Sequence, residues 1–369
     1  MSKNLVFCAD LQARESVYKH NPDLKDDDLV ALLQVVKYCN DSSNNVSILV
    51  LGGDQVDSPT ISDTHVIKLR KILRGCKIPV YYIDGNHEKG FNRFELEGGA
   101  ACVATNLEHT PIMNDDLPVG VVSRDIAGYN WRPRREWKLI KDEIPSCDIL
   151  ILHGFADQAA PLIQGGSVSE DDELGDFDLR WFDGKCKLCL MGDIHMYSEY
   201  DGDRGTKFIY PGSMWMHRVN EPVDKFFLSV NLDTLETQKV PLYTRPFYRG
   251  EIKESSDILS LAAELKRENF TSVPDSRIRT PRVHLDIVTD KDLSKDIEPL
   301  LQDNFVITRV RPSETAKLVT GDTKTLDIES GIVAFLSDED AEVKEFLLEV
   351  FRDSADSALA GLRDKLGVV

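Results

Sequence analysis

The sequence predicts an α/β fold, and three observations support this prediction. Apolar β-type segments alternate with amphipathic helical segments over residues 4–83, as in a sheet built from βαβ units. Several apolar segments open directly into carboxylate, amide or imidazole side chains. From residue 101 onward the pattern changes to short strands, which a second sheet packed on the first would accommodate. Ligands are therefore expected at the carboxyl ends of the strands.

The first half of this pattern is a β-α-β-α-β series. Strands are predicted at residues 4–9, 47–51 and 80–83. The first helix follows an acidic run at residues 26–28, whose charges suit a helix N-terminus. Both helices are recognised by apolar residues at helical spacing. These residues are Leu29, Leu32, Leu33 and Val36 in the first helix, and Val66, Leu69, Ile72 and Leu73 in the second.

The remaining strands are short and alternate with polar stretches. Residues 157–178 are rich in glycine, serine and acidic residues, so we expect a long exposed loop there, at the rim of a site. Strands are predicted at residues 119–123, 125–129, 187–191, 197–200, 207–210, 226–231 and 237–242.

The sequence Thr244-Arg245-Pro246 predicts a domain boundary. Residues 1–246 would form the larger domain and residues 247–320 a small α+β domain, with strands at 248–252, 282–288 and 306–310 and helices at 257–268 and 293–301. Residues 321–369 would be a linker followed by a helical segment. Its apolar face would carry Val343, Phe346, Leu347, Val350, Phe351, Leu359 and Leu362.

Charge and composition restrict the function classes. The formal net charge is −19, which argues against a protein that coats nucleic acid unaided, because such affinity comes from lysine and arginine on phosphates. No apolar run is long enough to span a bilayer and no signal peptide is evident, so a cytoplasmic protein without a membrane partner is expected. The seven cysteines are scattered, and Cys186 and Cys189 lack the second pair that a zinc site needs.

Five apolar segments end in residues of metal-ligating type. They lie at residues 7–12, 49–57, 83–88, 149–153 and 190–195. Together they offer carboxylate, amide oxygen and imidazole, which hard or borderline divalent ions accept, and they offer no thiolate. Two such ions about 3.5–4 Å apart can clamp a phosphoryl group for in-line displacement. The pattern therefore predicts a centre for phosphate chemistry.

In this order the five segments resemble the blocks of the calcineurin-like metallophosphoesterase superfamily, which are D-x-H/Q, GD-x-x-D, GNH-D/E, a lone histidine after a strand, and GH-x-H. The resemblance covers residues 10–195 and implies a two-sheet sandwich flanked by helices. It also implies two divalent metal ions, Mn²⁺ first and Mg²⁺ as the alternative. The first ion would bind Asp10, Gln12, Asp54 and His195, and the second Asp54, Asn86, His153 and Asp193.

The same resemblance implies catalytic roles and shows two departures. His87 would stabilise or protonate the leaving oxygen, with Glu88 or Asp57 orienting its neighbours. Gln12 replaces the commoner histidine of the first block and is a weaker neutral ligand. Asp193 replaces the first histidine of GH-x-H, and its added negative charge shifts the preference toward Mn²⁺ or Mg²⁺.

A more specific resemblance begins at Tyr210-Pro211-Gly212-Ser213, which is similar to the Y-P-G-S stretch of SbcD-type DNA repair nucleases. It implies an exonuclease with some single-strand endonuclease activity, serving DNA repair, recombination and replication. In that family a small capping domain follows the nuclease domain, and a C-terminal helical segment docks on an SbcC-type ABC ATPase. The expected partners are therefore DNA and that ATPase, with a homodimer left open.

Two other classes of function stay open at the level of sequence. A small-molecule or cyclic-nucleotide phosphodiesterase, or a phosphoprotein phosphatase, would use the same motifs, although it would not need the residues beyond 246. A scaffold that kept the fold and lost the chemistry is the other class. Intact Asn86 and His87 argue against the scaffold, and Asp193 leaves it open.

Overall fold

The structure of the 369-residue chain is a computed structural model. It describes residues 3–14, 26–58, 60–88, 103–113, 124–160, 174–268, 272–288, 293, 295–297 and 306–312. The chain divides into two compact units, of residues 1–287 with 291–311 and of residues 288–290 with 312–369. The second unit lies almost entirely outside the described residues, so the account that follows concerns the first.

The first sheet has the strand order β11-β10-β1-β2-β3-β4. Strands β1 to β4 run parallel to one another, and β10 and β11 extend the sheet antiparallel beyond β1. Its strands are β1 (Asn4–Cys8), β2 (Val46–Gly52), β3 (Val80–Ile83), β4 (Thr105–Asn106), β10 (Lys225–Asn231) and β11 (Thr237–Leu242). Two helices connect its parallel strands, α1 (Asp27–Asn40) and α2 (Asp63–Arg74).

The second sheet has the strand order β5-β6-β7-β9-β8. All neighbouring strands are parallel except the hairpin of β8 and β9. Its strands are β5 (Ile126–Tyr129), β6 (Ile149–His153), β7 (Leu188–Gly192), β8 (Ser198–Asp201) and β9 (Lys207–Tyr210), and helix α3 (Arg134–Ile140) precedes β6. Short 3-10 turns lie at Ser42–Asn44, Asp157–Ala159, Leu179–Trp181 and Ser276–Ile278.

One apolar core lies between the two sheets. Because successive side chains of a strand point to opposite faces, Leu5 and Phe7 enter this core with Ile149 and Ile151 of the second sheet. Val6 and Cys8 of the same strand point the other way, onto the apolar faces of α1 and α2. The parallel strands are thus covered on both faces, as continuous apolar runs require.

A third layer covers the outer face of the second sheet. Trp137 of α3 is wholly buried, and its ring meets Phe177 and Phe182 edge to face at centroid distances of 5.6 and 5.7 Å. Such contacts add to the free energy of burying the rings themselves. These contacts stabilise α3, although it lies in a segment of mostly polar sequence.

The small α+β part is a three-stranded sheet of order β12-β13-β14 with one helix packed on it. Its elements are β12 (Phe247–Ile252), α4 (Ser255–Arg267), β13 (Arg282–Ile287) and β14 (Val306–Pro312). Arg245 joins it to the larger part, because its guanidinium pairs with buried Asp27 at 2.9 Å and also donates to the carbonyl oxygen of Thr280. Arg282 donates to the carbonyl oxygen of Met216 at 3.1 Å.

The predicted fold class is confirmed, and most predicted elements lie within a residue or two of the observed ones. The interpretation of residues 157–178 as an exposed loop is wrong at both ends, because Ala159 and Phe177 are wholly buried, and its middle, residues 161–173, falls outside the described residues. Cys186 and Cys189 are buried free thiols of the second sheet's outer core. The strand predicted at 119–123, most of the helix at 293–301 and the segment 321–369 fall outside the described residues.

Candidate metal centre

The predicted metal ligands lie at the carboxyl ends of parallel strands from both sheets. Asp10, Asp54 and Asn86 follow β1, β2 and β3, His153 is the last residue of β6, and Asp193 follows β7. Parallel neighbours end at the same edge of a sheet, and the two sheets pack face to face with these edges adjacent. Residues that are far apart in the chain are thereby gathered into one site.

Three of these residues form a compact buried group. One ligand atom each of Asp10, Asp54 and His153 lies within 4.8 Å of the others, and all three side chains are buried. His153 Nε2 is 3.3 Å from Asp54 Oδ1 and 3.9 Å from Asp193 Oδ1. Two or more carboxylates and an imidazole in this arrangement are a divalent-cation donor set.

The hydrogen bonding of His153 leaves one ring nitrogen for a cation. Its Nδ1–H donates to the carbonyl oxygen of Gly52 at 2.8 Å, so Nε2 is the nitrogen that faces Asp54 and Asp193. Burial lowers the pKa of His153, but Asp54 and Asp10 outweigh it and raise the pKa well above its usual value, so a cation would replace a proton at Nε2. Nε2 is buried and has no hydrogen-bond partner. The backbone at Gly53 comes so close that a Cβ there would lie 2.1 Å from His153 Nδ1. A buried ring nitrogen beside carboxylates and without a hydrogen-bond partner fits a metal ligand.

Asp54 presents its two oxygens in different directions. Oδ1 faces His153 and accepts the backbone N–H of His87 at 3.0 Å, whereas Oδ2 accepts from Gln12 Nε2 at 3.2 Å. Burial alone would raise the pKa of Asp54, but the nearby His153 outweighs it and brings the pKa to about 2. The carboxylate is therefore ionised and oriented as a ligand shared between two positions would be. A half-turn of the Gln12 amide would present its oxygen instead.

Asn86 and Asp193 complete the second predicted position. Asn86 Nδ2 donates to Asp193 Oδ1 at 3.4 Å, while Asn86 Oδ1 is buried without a hydrogen-bond partner. The backbone N–H of Asp193 donates to both oxygens of Asp10, at 3.0 and 3.1 Å. Burial raises the pKa of Asp193 to about 7, a direction that His153 opposes and that the carboxylates of Asp10 and Asp54 reinforce. A cation among these oxygens would offset that repulsion.

The three predicted catalytic residues take different places. His87 lines the cleft, and its Nδ1–H donates to the backbone carbonyl oxygen of Asp57 at 2.7 Å. The Asp57 carboxylate instead lies 3.7 Å from Arg14, so Asp57 orients His87 through its backbone. Glu88 is buried and accepts the N–H groups of Asp54, Val56 and Gly85 at 2.7–3.0 Å. These hydrogen bonds connect the loop that carries Asp54 with the loop that carries Asn86, beneath the cleft.

Several of the predicted ligand residues have a left-handed backbone. The φ angles are 54° at Asp10, 41° at Gln12, 52° at Asp54 and 101° at Asp193. This region is sparsely populated by residues other than glycine, and each such residue costs on the order of 1 kcal/mol or more. The turns that direct these side chains into the site are therefore stabilised by the surrounding structure, against the preference of non-glycine residues for negative φ angles.

The centre opens into a cleft of about 420 Å³ with basic side chains along it. Arg14, His87, His217 and Arg218 are among the residues that line it. His217 donates from Nε2–H to the carbonyl oxygen of Asp10 at 3.2 Å, and its ring lies 5.0 Å from that of His195. The cleft therefore combines carboxylates at its base with the guanidinium groups of Arg14 and Arg218 at its walls, which suits a phosphate ester.

Sequence reasoning missed the residues that support the ligands. The Tyr210 hydroxyl donates to the carbonyl oxygen of Gly154 at 2.9 Å and accepts the N–H of Ala156 at 3.1 Å, so it fixes the turn after His153. His195 Nδ1–H donates to Glu221 at 2.8 Å, a contact that no pattern in the sequence indicated. The Y-P-G-S stretch contains Tyr210 and was the available signal for the first contact, although its pattern alone indicates no structural role for the hydroxyl.

The two-sheet sandwich and this donor set together define a metallophosphoesterase. Residues 3–197, just over half of the chain, match the family model described as calcineurin-like phosphoesterase, and the chain belongs to that family. A crystal structure of a dimetal phosphatase from Danio rerio is similar, with a TM-score of 0.38 and 11% identity over 65% of this chain and 99% of that chain. Curated proteins gave no match. Within the described residues, no helix is long and apolar enough to cross a membrane.

The role of Asp193 can be tested by substitution. If Asp193 is a ligand, Asp193→Ala should lower the affinity for the second cation. The loss should exceed the 10- to 100-fold that follows when a residue that only supports a ligand is removed. Asp193→His would supply an imidazole in its place and should keep or raise phosphodiester hydrolysis. Calorimetric titration with Mn²⁺ measures the first effect, and Asp203→Ala, an exposed acid on the following turn, is the matched control. Equal Mn²⁺ affinity and stoichiometry in the wild type and Asp193→Ala would place Asp193 outside the ligand set.

Proposed function

We propose that this metallophosphoesterase is an SbcD-type, Mn²⁺-dependent DNA nuclease that works with an SbcC-type ABC ATPase. The observation that carries the proposal is the position of the SbcD-like stretch at residues 210–213. Tyr210 holds the turn after His153, and the Ser213 N–H donates to the carbonyl oxygen of His195 at 3.3 Å. The stretch on which the subfamily resemblance rests thus contacts both imidazole-bearing loops of the metal centre.

The small α+β sheet supports a polymeric substrate. Arg282 of β13 donates to the carbonyl oxygen of Met216, one residue before His217 in the cleft wall. The buried ion pair of Arg245 and Asp27 fixes the same sheet to α1. A sheet held against the wall of the cleft would extend the surface available to a strand beyond the scissile phosphate. A small phosphodiester would leave that surface unused.

Charge supports a partner that shares the work of holding DNA. The basic residues of the cleft, Arg14 and Arg218, would contact phosphates near the metal centre. The chain as a whole has a formal net charge of −19, so its long-range field repels a polyanion. An ATPase that grips DNA would supply the missing affinity, and residues 342–366 are the predicted docking segment.

The chain's own residues would position and protonate the substrate. Two bound divalent ions supply charge stabilisation of the phosphoryl group and a more acidic water. His87 is oriented by its Nδ1–H bond to Asp57, so that its Nε2, 3.7 Å from Asp54 Oδ2, is placed to carry a proton to the leaving oxygen. Arg14 and Arg218 would hold the flanking phosphates. This assignment distributes binding and proton transfer over separate side chains.

The nuclease proposal is tested on end-labelled duplex DNA with Mn²⁺, with and without the candidate ATPase. We expect exonucleolytic products with some single-strand cutting, and at least several-fold stimulation of the full-length chain by the ATPase. A truncation ending near residue 335 should keep its basal activity on a small phosphodiester and lose both stimulation and co-purification. Asp54→Asn serves as the control for contaminating nucleases.

Two outcomes would contradict different parts of the proposal. Rapid hydrolysis of cyclic nucleotides with no hydrolysis of DNA would reject the nuclease and favour a small-molecule phosphodiesterase. A truncated chain that still co-purifies with the ATPase and is still stimulated by it would reject docking through residues 342–366.

A further inference from the structure

A buried polar network stands beside His195, outside the predicted ligand set. Its members are Ser213, Glu221 and Lys225, and the side chains of Glu221 and Lys225 are only 4% and 3% exposed. Burying a carboxylate and an ammonium is costly unless each is paired and hydrogen-bonded. Ser213 and Glu221 lie on the segment between β9 and β10, which also carries the cleft residues His217 and Arg218, and Lys225 is the first residue of β10.

Glu221 accepts from donors on both of its oxygens. Oε1 accepts from His195 Nδ1–H at 2.8 Å and from the Arg218 N–H at 3.1 Å. Oε2 accepts from Lys225 Nζ at 2.9 Å, from the His217 N–H at 3.1 Å and from the Ser213 hydroxyl at 3.0 Å. With five donors converging on it, the carboxylate has one orientation, and so does the imidazole that it contacts.

The contact between Glu221 and His195 decides which ring nitrogen of His195 is free. A carboxylate can only accept, so the proton of a neutral His195 lies on Nδ1 and the lone pair lies on Nε2. A carboxylate behind an imidazole ligand also raises the basicity of the ligating nitrogen. Lys225 stabilises this state, because it pairs with Glu221 and donates to Ser213 Oγ at 2.7 Å.

We propose that Glu221 is a positioning residue of the metal centre. It fixes His195 with Nε2 presented to a divalent cation, and Lys225 holds Glu221 in place as a carboxylate. This inference rests on the metal centre of the proposed function and is independent of DNA as the substrate.

Two variants separate positioning from a purely structural role. In Glu221→Gln the amide oxygen would face the donors of Lys225, His217 and Ser213, and the amide N–H₂ would then face His195 Nδ1. The proton of His195 would move to Nε2, where it blocks a cation. The single variant leaves Lys225 as a buried ammonium without its carboxylate partner, which destabilises the fold. The double variant Glu221→Gln with Lys225→Met removes that charge as well. It still lacks the carboxylate that contacts His195.

The expected result is a loss of Mn²⁺ affinity of about 10- to 100-fold in both variants, the range for residues that orient a metal ligand. Calorimetric titration of the purified full chain measures it, with thermal unfolding of the metal-free proteins alongside. The double variant should unfold closer to the wild type than the single variant does, without recovering Mn²⁺ affinity. Glu236→Gln, an exposed glutamate of the next turn, is the matched control.

The wild-type protein supplies a second test that needs no variant. Nitrogen-15 NMR of the metal-free chain, recorded at a pH above the pKa of His195 that Glu221 raises, should show His195 protonated on Nδ1 and unprotonated on Nε2. The opposite tautomer, or wild-type Mn²⁺ affinity in either folded variant, would overturn the proposal. Neither measurement involves nucleic acid, so failure of the nuclease proposal would leave both results interpretable.

Discussion

Replacing Asp54 with asparagine should remove a shared ligand and abolish the two-ion site. The wild-type chain is expected to bind two Mn²⁺ ions, and Asp54→Asn should bind fewer, with much lower affinity. Asp54 Oδ1 faces His153 and Oδ2 faces Gln12, whereas asparagine has one oxygen and an amide N–H₂ that repels a cation. Hydrolysis should fall by at least the 10²- to 10⁴-fold that loss of a positioned acid–base group produces.

The same sequence block provides the matched control. Asp57→Asn changes another aspartate of the GD-x-x-D motif, but Asp57 contacts His87 through its backbone carbonyl oxygen, which the substitution keeps. It should leave Mn²⁺ stoichiometry unchanged. Calorimetric titration and hydrolysis of bis-p-nitrophenyl phosphate measure both effects. Unchanged stoichiometry and affinity in Asp54→Asn would remove the bridging assignment.

His87→Ser should separate catalysis from metal binding. The His87 ring lines the cleft with Nδ1 bonded to Asp57, and neither ring nitrogen is needed by the predicted ligand sets. We therefore expect near-normal Mn²⁺ binding and phosphodiester hydrolysis lowered by about 10²- to 10⁴-fold. If His87 protonates the leaving oxygen, the loss should be larger for a dinucleotide than for bis-p-nitrophenyl phosphate, whose leaving group needs little protonation.

The reverse result would give His87 a different role. Loss of Mn²⁺ together with activity would make it a ligand. An equal loss for both substrates would indicate charge stabilisation in place of proton transfer. Parallel metal analysis and turnover on the same preparations distinguish these outcomes.

Local sequence patterns predicted most of the strands and helices and the residues at the centre of the site. The strand predicted at residues 80–83 is β3 with the same bounds, because a short run of β-branched and aromatic residues bounded by proline is typical of a strand. The predicted ligands Asp10 and Asp54 could be found because each lies two residues after the end of its strand, and His153 because it is the last residue of its strand. Because parallel neighbouring strands end at the same edge of a sheet, and the two sheets pack face to face, these positions lie close together in the folded chain.

Contacts between distant segments could not be predicted in this way. Glu221 lies 26 residues after His195, in a segment without periodicity, and only the folded chain places them 2.8 Å apart. Helix α3 forms in a polar stretch because Trp137 is buried against Phe177 and Phe182, residues that follow much later in the chain. The resemblance to SbcD-type nucleases and the docking segment remain predictions, since local pattern does not identify a substrate or a partner.

The left-handed turns at Asp10, Gln12, Asp54 and Asp193 have a consequence for protein engineering. Residues held in an unfavourable backbone conformation lower the free energy of unfolding, and here they do so at the positions predicted to bind cations. Screening libraries for heat resistance in the presence of a chelator would therefore enrich glycine or asparagine at these four positions, since both tolerate such turns. Thermal tolerance and cation affinity would move in opposite directions, and a stabilised variant of this protein should be selected with metal present.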